Sequence, residues 1–404
     1  MPPLLTVLRN RDAALYLTAT VVSGFGTSAL WLASGVWVKD LTGSDGLAAL
    51  CLLAMWAPTL LGPLLGTLAD RVRRKPLLIG ANLLLAALLL TLFTVDSPDR
   101  LWLLYTVLFV YGAAGVVHDA AESALVTAAV TPSLLGEFNG LRMAITEGMK
   151  LVAPLAGAGL YTLYGGPAVA LLDASTFTLA TLLYAALHVR ETAPEPSGRT
   201  PVSEGIRQLR AHPVLRPLIL AGGTTMLFAG LTGSMLYAVI DDLGHSPAYA
   251  GVLYAVQGAG SVTVGLLAGP ALRHLGAPRF AAYGIALTAL ATALRAVPSD
   301  ALALACSAAS GVGLPCVLIA ALTAVQRETP DALLGRTVAT ANTLVFAPNV
   351  LGLGVGAVLV ELVDQKPLLV VAGGLWLLTA GWLLRRPADV SHAGAGLGGG
   401  ARAR

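Results

Sequence analysis

The stretch that decides the fold reads Gly66-Thr67-Leu68-Ala69-Asp70-Arg71-Val72-Arg73-Arg74-Lys75, and it lies between two long apolar segments. Residues 70–75 hold one carboxylate and four cations. So many charges cannot remain in hydrocarbon, because none of them would be solvated there. The chain must therefore leave the membrane at this point and turn back, which predicts a tight basic loop at a membrane edge.

The composition indicates the same class of protein. Of 404 residues, 56% are apolar and only 12% are charged, and the mean hydropathy is +0.77. Soluble domains carry roughly 25% charged residues. We therefore predict an all-α polytopic membrane protein. The net charge of +3 is small and spread over many loops, which excludes nucleic acid as an expected partner.

Apolar segments of about 20 residues, long enough to cross the bilayer, can be placed twelve times along the chain. The predicted spans lie near 13–38, 47–69, 77–95, 101–130, 138–163, 168–188, 214–240, 248–272, 280–297, 301–325, 338–363 and 367–384.

Basic residues are concentrated in alternate loops. If the N-terminus is cytoplasmic, most of the 25 Lys and Arg residues fall in cytoplasmic loops and tails. The opposite side then keeps little more than Lys39, Arg100 and Lys366. The positive-inside rule predicts both termini in the cytoplasm.

One polar connector, 190–213, divides the chain near its middle. We expect an N-terminal six-helix half at 1–189, a C-terminal six-helix half at 214–386, and a disordered Gly- and Ala-rich tail at 387–404. The segment 202–210 is amphipathic and predicts a short surface helix, for which a plain solvated linker is the simpler interpretation.

The two halves repeat each other in sequence. Residues 131–137 read Thr-Pro-Ser-Leu-Leu-Gly-Glu, and residues 329–336 read Thr-Pro-Asp-Ala-Leu-Leu-Gly-Arg. Each segment precedes a span with an internal Ala-Pro pair, at Pro154 and Pro348. A repeat at half the chain length predicts two pseudo-symmetric six-span units.

The order Gly-x-x-x-Asp-Arg-x-x-Arg-Lys, between the second and third spans, resembles the motif A loop of the major facilitator superfamily of transporters. The twelve spans and the repeat extend this resemblance over nearly the whole chain. It implies a substrate site near the midplane between the halves. It also implies a cytoplasmic latch, in which Asp70 accepts hydrogen bonds at the N-terminus of the eleventh helix. The expected gating residues are Gly66, Asp70, Arg71, Arg74 and Arg336.

Within that superfamily the chain resembles bacterial exporters, among them macrolide-efflux and siderophore-export proteins. The resemblance rests on residues 8–12 (Leu-Arg-Asn-Arg-Asp), residues 41–44 (Leu-Thr-Gly-Ser) and Asn139. It implies export of a small molecule. No spacing of residues reports the direction of transport.

Ionisable residues inside predicted spans are expensive, so each is a candidate for function. Asp119 and Glu122 share one face of the fourth span, and Glu147 and Lys150 lie on one stripe of the fifth. A carboxyl group balanced between burial and a nearby cation can load and release a proton. We expect proton coupling at these four residues. The alternative is static pairing, of Glu147 with Lys150 or of Glu122 with Arg142.

Large aromatic and Met side chains in the spans predict a mainly apolar wall of the substrate site, with two Asn side chains as polar groups. As a set they favour a greasy, amphipathic ligand over a sugar, although each alone could be ordinary packing. The candidates are Trp31, Met55, Trp56, Phe228, Tyr237, Asn342, Phe346 and Asn349.

The sequence therefore predicts a proton-coupled exporter of amphipathic small molecules, a monomer in a bacterial plasma membrane, with no cofactor and no metal. A siderophore or lipid transporter of the same fold is one alternative. An intramembrane enzyme using His118, Asp119 and Glu122 is another, and His118 with Glu122 could bind a metal. The chain has no Walker A sequence and no Gly-x-Ser-x-Gly elbow, so ATP-driven pumping and serine hydrolysis lack their usual marks.

Overall fold

The computed structural model describes the backbone of residues 10–62, 65, 72–129, 135–188, 207, 209–329 and 331–385. Within these ranges the structure describes only the backbone, and not the side chains, of residues 119–120, 122–129, 135–144, 146–147, 150–151 and 331–336. All regular elements of the described residues are helical.

Six α-helices form the N-terminal half in the part of the chain that the structure describes. They are α1 (Arg11–Thr42), α2 (Asp45–Trp56, continued by a 3-10 segment at Ala57–Leu61), α3 (Arg74–Thr91), α4 (Leu101–Ala129), α5 (Leu135–Tyr164) and α6 (Gly166–Ala185). Pro58 lies at the start of the 3-10 segment.

Among the described residues, seven α-helices form the C-terminal half, and the first two make one crossing. They are α7 (Leu215–Gly233), α8 (Leu236–Asp242), α9 (Ala250–Leu275), α10 (Ala277–Leu294), α11 (Asp300–Glu328), α12 (Asp331–Leu362) and α13 (Gln365–Leu384).

Ten helices among the described residues are long and apolar enough to cross a membrane. With the shorter apolar stretch Asp45–Leu61 and the 30-residue helix α5, the described helices are consistent with the predicted twelve crossings. Large apolar side chains face outward along the bundle, including Leu163, Leu266 and Leu362, each more than 70% exposed. Such a surface fits a lipid environment.

The helices pack around two large apolar clusters. One lies within the C-terminal half, and the other fills the N-terminal half and continues into the C-terminal half through Ile240, Leu253 and Ala303. Between the halves, α2 lies against α12 and α5 lies against α9. Small residues allow close approach within each half: Gly157 of α5 lies on the backbone of Ala29. Close packing at small residues is the usual means of helix association in membranes.

The helix connections define two ends of the bundle. The turn from α1 to α2 is built by Gly43, at φ +70°, and by Ser44, whose hydroxyl accepts a hydrogen bond from the Leu47 amide. We call this the Lys39 end. The opposite end, where α1 begins and α13 ends, is called the terminal end.

Candidate functional site

A central cavity of about 450 Å³ lies between the two halves. Its volume is within the range of roughly 300–1,000 Å³ that is usual for small-molecule sites. None of the described side chains that line it is charged. The lining residues are Thr27, Ser28, Trp31, Met55, Trp56, Thr59, Gly112, Gly115, Val116, Pro154, Tyr254, Gln257, Gly258 and Ser261.

Aromatic contacts join the halves at the rim of this cavity. Trp31 of α1 packs edge-to-face on Tyr254 of α9, with ring centroids 4.7 Å apart. Trp56 of α2 stacks on Phe346 of α12 at 6.1 Å. Flat apolar faces and the few polar groups Thr27, Ser261 and Gln257 make a wall suited to a ligand that is largely apolar.

The structure places the eight predicted substrate residues in different surroundings. Trp31, Met55 and Trp56 line the cavity. Phe346 lies behind Trp56 and stacks on its ring. The remaining four lie elsewhere: Tyr237 lines a small neighbouring pocket against Gly35, Phe228 stacks on Trp376 in the C-terminal core, Asn342 is exposed, and Asn349 packs against Gly230.

A polar extension of about 100 Å³ adjoins the cavity and shares Tyr254 and Gln257 with it. Arg295, at the end of α10, reaches into this extension and donates to the Ser307 hydroxyl at 3.3 Å. The volume is enough for about three waters. A guanidinium group is thus available beside the main cavity.

A buried carboxyl group lies in α6. It is not among the four coupling residues predicted from the sequence. Asp173 is fully buried. Its Oδ2 lies 2.9 Å from the hydroxyl of Tyr111 in α4, and that hydroxyl lies 2.8 Å from the Thr27 hydroxyl. The cluster connects a carboxyl group to a residue of the cavity wall. A single Asp in the apolar run 168–172 and 174 was the available signal.

The predicted coupling residues lie on α4 and α5, but the side chains of Asp119, Glu122, Glu147 and Lys150 are outside the described part of the chain. His118 is described, and its Nε2 lies 3.4 Å from the Tyr184 hydroxyl. Within the described residues no group of three His, Cys, Asp or Glu side chains could hold a metal ion.

At the Lys39 end, polar contacts join the two halves. Lys39 bonds to Asp45 of its own half at 2.7 Å and to Asp241 of the other half at 2.6 Å. Glu361, near the end of α12, accepts from the Ser44 hydroxyl and from the Gly46 amide, each at 2.6 Å. The second contact places an anion at the N-terminus of α2, where the helix dipole favours it.

At the terminal end, the predicted latch falls mostly outside the described residues. Gly66, Asp70 and Arg71 are not described, nor is the side chain of Arg336. Arg74 begins α3. Its neighbour Lys75 donates to the carbonyl oxygens of Ala185 and Leu187, at 2.9 and 2.7 Å, so this part of the basic loop ties α3 to the end of α6.

Comparison with known proteins gives a family match over most of the chain. The profile described as Major Facilitator Superfamily matches residues 16–240 and 218–402. The solved structure of a peptide transporter POT in complex with alafosfalin is 16% identical, covers 93% of this chain and 94% of its own, and has a TM-score of 0.74. At that identity the likeness concerns the fold.

Two curated relatives are similar over part of the chain. Macrolide efflux protein A of Streptococcus pyogenes is 25% identical over 260 residues, which are 61% of this chain and 64% of that protein. Multidrug resistance protein MdtH of Salmonella typhi is 29% identical over 199 residues, 49% of this chain and 48% of that protein. The chain thus matches less than two thirds of the length of either relative.

Proposed function

This chain belongs to the Major Facilitator Superfamily, and on that premise we propose that it is a proton-coupled secondary transporter exporting amphipathic small molecules by alternating access. The protein is a transporter and not an enzyme, as its family and its relatives indicate. The interpretation of His118, Asp119 and Glu122 as an enzyme site is therefore wrong.

The observation that carries the proposal is the central cavity. It lies between the halves, takes its wall from both of them, and presents aromatic and apolar groups without a described charge. A ligand held there would gain apolar burial and aromatic contact with Trp31, Met55 and Trp56. Those gains favour an amphipathic molecule over a heavily hydrated one.

Alternating access requires the halves to separate at one end at a time. The contacts of Lys39 with Asp241 and of Glu361 with Gly46 hold the halves together at the Lys39 end. The excess of basic residues at the terminal end supports its placement in the cytoplasm. In that orientation the structure is the state whose outer side is closed.

The direction of transport and the ligand class draw support from the relatives, one described as a macrolide efflux protein and the other as a multidrug resistance protein. We accordingly propose export from a bacterial cytoplasm across the plasma membrane. Each half contributes to a single cavity within one chain, which supports a monomer as the working unit.

The domain and gating assignments remain proposals. We assign the halves to 1–189 and 214–386, the cytoplasmic connector to 190–213 and the tail to 387–404. Asp70, with Gly66, Arg71, Arg74 and Arg336, is proposed as the latch that closes the terminal end. The four residues Asp119, Glu122, Glu147 and Lys150 stay predicted coupling residues.

The experiment uses inverted membrane vesicles and radiolabelled erythromycin as the probe. An acid-inside pH gradient should drive erythromycin into wild-type vesicles, and Trp31→Ala should reduce the uptake because the cavity loses a ring. The matched control is Trp102→Ala, since Trp102 is 66% exposed on the outer surface. Equal uptake by both variants, or uptake only in right-side-out vesicles, would contradict the proposal.

A further inference from the structure

The carboxyl group of Asp173 occupies a closed polar cluster near the middle of α6. The side chain is fully buried, and the hydroxyls of Tyr111 and Thr176 lie within hydrogen-bonding distance of its carboxyl oxygens. Its surroundings include Gly26 of α1, where a Cβ atom would collide with the carboxyl oxygen and with Thr176. The packing of α1 against α6 therefore leaves space for this carboxyl and for little else.

We propose that Asp173 is a proton-binding site of the transporter, loaded from the central cavity through the hydroxyl groups of Thr27 and Tyr111. The inference rests on the proposed function, since it names a site at which the coupling proton is held.

The hydroxyls of the cluster can accommodate Asp173 with or without a proton. Thr176 donates to Asp173 Oδ1 at 3.1 Å and to the Asp173 carbonyl oxygen at 2.7 Å. Tyr111 lies 2.9 Å from Oδ2 and 2.8 Å from the Thr27 hydroxyl. It can therefore donate to a carboxylate at Oδ2, or accept from a carboxylic acid there while it donates to Thr27. A neutral carboxylic acid costs less to bury than a carboxylate.

The same chain of oxygens gives the proton a route. Thr27 is partly exposed and lines the central cavity. A hydronium ion in the cavity gives its proton to the Thr27 oxygen. Thr27 passes its own hydrogen to the Tyr111 oxygen, and Tyr111 passes its hydrogen to Asp173 Oδ2. The net result is one proton moved from the cavity to the carboxylate, with both hydroxyls restored, and the reverse sequence releases it.

The relay and the proposed substrate wall share one face of α1. Trp31 follows Thr27 by four residues, so both side chains point the same way, and both line the cavity. A ligand lying on Trp31 covers Thr27 and excludes water from the entrance of the relay. Proton entry and substrate occupancy then exclude each other, which is the condition an exchanger of protons for substrate must meet.

Other titratable groups on the elements packed against α6 have separate contacts. Among the described titratable side chains, Tyr111 of α4 contacts Asp173. On α3, Lys75 bonds to the carbonyls of Ala185 and Leu187. On α4, His118 lies against Tyr184, also near the C-terminal end of α6.

Further titratable groups lie on α1 and α5. On α1, Arg11 and Asp12 contact His188 beyond the C-terminal end of α6, and Lys39 pairs with Asp45 and Asp241 at the far end of α1. On α5, the side chains of Glu137, Arg142, Glu147 and Lys150 are not described.

The test uses the full chain in liposomes with radiolabelled erythromycin. Asp173→Asn keeps the shape and much of the hydrogen bonding but cannot titrate. It should lose accumulation driven by a pH gradient and keep counterflow of erythromycin at equal pH, which needs no net proton movement. Thr27→Val should also lose gradient-driven accumulation, whereas Thr27→Ser, which restores the hydroxyl, should keep it.

The control for removing a hydroxyl is Thr178→Val, because Thr178 is on the exposed face of α6. It should behave as wild type. Gradient-driven accumulation by Asp173→Asn at the wild-type level would overturn the proposal, and so would equal behaviour of Thr27→Val and Thr27→Ser.

A second readout separates this site from the proposed function. Infrared spectroscopy of the purified protein follows the carbonyl stretch of protonated carboxyl groups as pH is raised. The wild type should lose a band that Asp173→Asn lacks at every pH. If the wild type carries no erythromycin, the proposed substrate class fails while this titration still decides the proton site. A spectrum in which the variant and the wild type titrate identically overturns it.

Discussion

Lys39 of α1 and Asp241 of α8 form an ion pair of 2.6 Å that crosses from one six-helix half to the other. The lysine side chain is only 7% exposed, and Asp45 holds it from its own half at 2.7 Å. We call the contact between the two halves at the Lys39 end the seam. A buried cation therefore has one anion on each side of the seam. Because one of these anions belongs to the other half, the pair favours the state in which this end is closed.

Asp241→Asn should shift the protein toward the state open at the Lys39 end. Lys39 keeps Asp45, so no unpaired charge is created. Asp241 is 47% exposed, so the loss should be about 0.2–1 kcal/mol, a shift of up to about fivefold in the open-to-closed ratio. Asp242→Asn is the matched control, because Asp242 contacts Gln365 and Lys366 of its own half.

The measurement is a distance distribution between spin labels at Asp96 and Val297, in a background in which the three cysteines are replaced by alanine. Both positions are exposed, and they lie at the Lys39 end on opposite halves. Longer distances should gain population in Asp241→Asn and not in Asp242→Asn. Identical distributions in the two variants would mean that the ion pair does not hold the seam.

Gly46→Ala should open the same seam by a steric route. A Cβ atom at Gly46 would meet the backbone oxygen of Ala357 and the side chain of Glu361 on α12. Overpacking of this kind costs about 1–3 kcal/mol. Gly80→Ala is the control, because nothing lies within 4 Å of its added atom. The same spin-label pair should report opening in Gly46→Ala alone; an unchanged distribution there would show that the contact of Gly46 with α12 does not set the spacing of the two halves.

Hydropathy predicted the number of crossings, because each crossing buries or exposes to lipid a long apolar run. It predicted the ends less well, since ends depend on caps. The first span was placed at 13–38, but α1 runs from Arg11 to Thr42. The Asn10 side chain accepts from the amides of Asp12 and Ala13 at one end. Gly43 closes the other.

The predicted span 214–240 is broken in the structure. The helix stops at Gly233, and α8 begins at Leu236. The Ser234 hydroxyl lies 3.1 Å from the Leu353 carbonyl of α12, a partner more than a hundred residues away. Hydropathy is averaged over neighbouring residues in the sequence, so it cannot indicate a hydrogen-bond partner that is distant in the sequence.

Local patterns also predicted the lining of the central cavity only in part. Trp31, Met55 and Trp56 were identified as large groups in spans, and they line the cavity; their role in substrate binding stays a prediction. The relation of Asp173 to Tyr111 and Thr27 needs three helices in register, which no local pattern encodes. Phe228 looked equivalent to Trp31 in sequence, yet its ring meets Trp376 within the C-terminal core.

Gly26→Ala should destabilise the N-terminal half. An added Cβ would collide with Asp173 and Thr176, and helices α1 and α6 would have to separate. We expect a loss of about 1–3 kcal/mol in the free energy of unfolding, measured as a lowered thermal midpoint in detergent. Gly24→Ala, two residues away, meets only Met149 at 3.9 Å and should unfold like the wild type. A midpoint for Gly26→Ala equal to that of Gly24→Ala would contradict the packing of Asp173 against α1.

The orientation can be tested by labelling single cysteines in intact cells. Asp99→Cys, exposed at the Lys39 end, should react with a membrane-impermeant maleimide. Arg385→Cys, exposed at the terminal end, should react only after the cells are permeabilised, because the proposed orientation places the basic terminal end in the cytoplasm. The opposite pattern would show that the Lys39 end is cytoplasmic. The state described here would then be closed on its cytoplasmic side.

The proposed exchange of protons for an amphipathic substrate in the cavity between the halves is tested by measuring proton flux together with substrate flux. Purified protein is placed in liposomes that contain a pH-sensitive dye, and erythromycin is added on one side. Erythromycin that crosses the membrane should move protons the opposite way. Trp31→Ala should reduce both fluxes together, while Trp102→Ala should change neither. Erythromycin flux without any proton movement, at the same rate in both variants, would rule out this exchange.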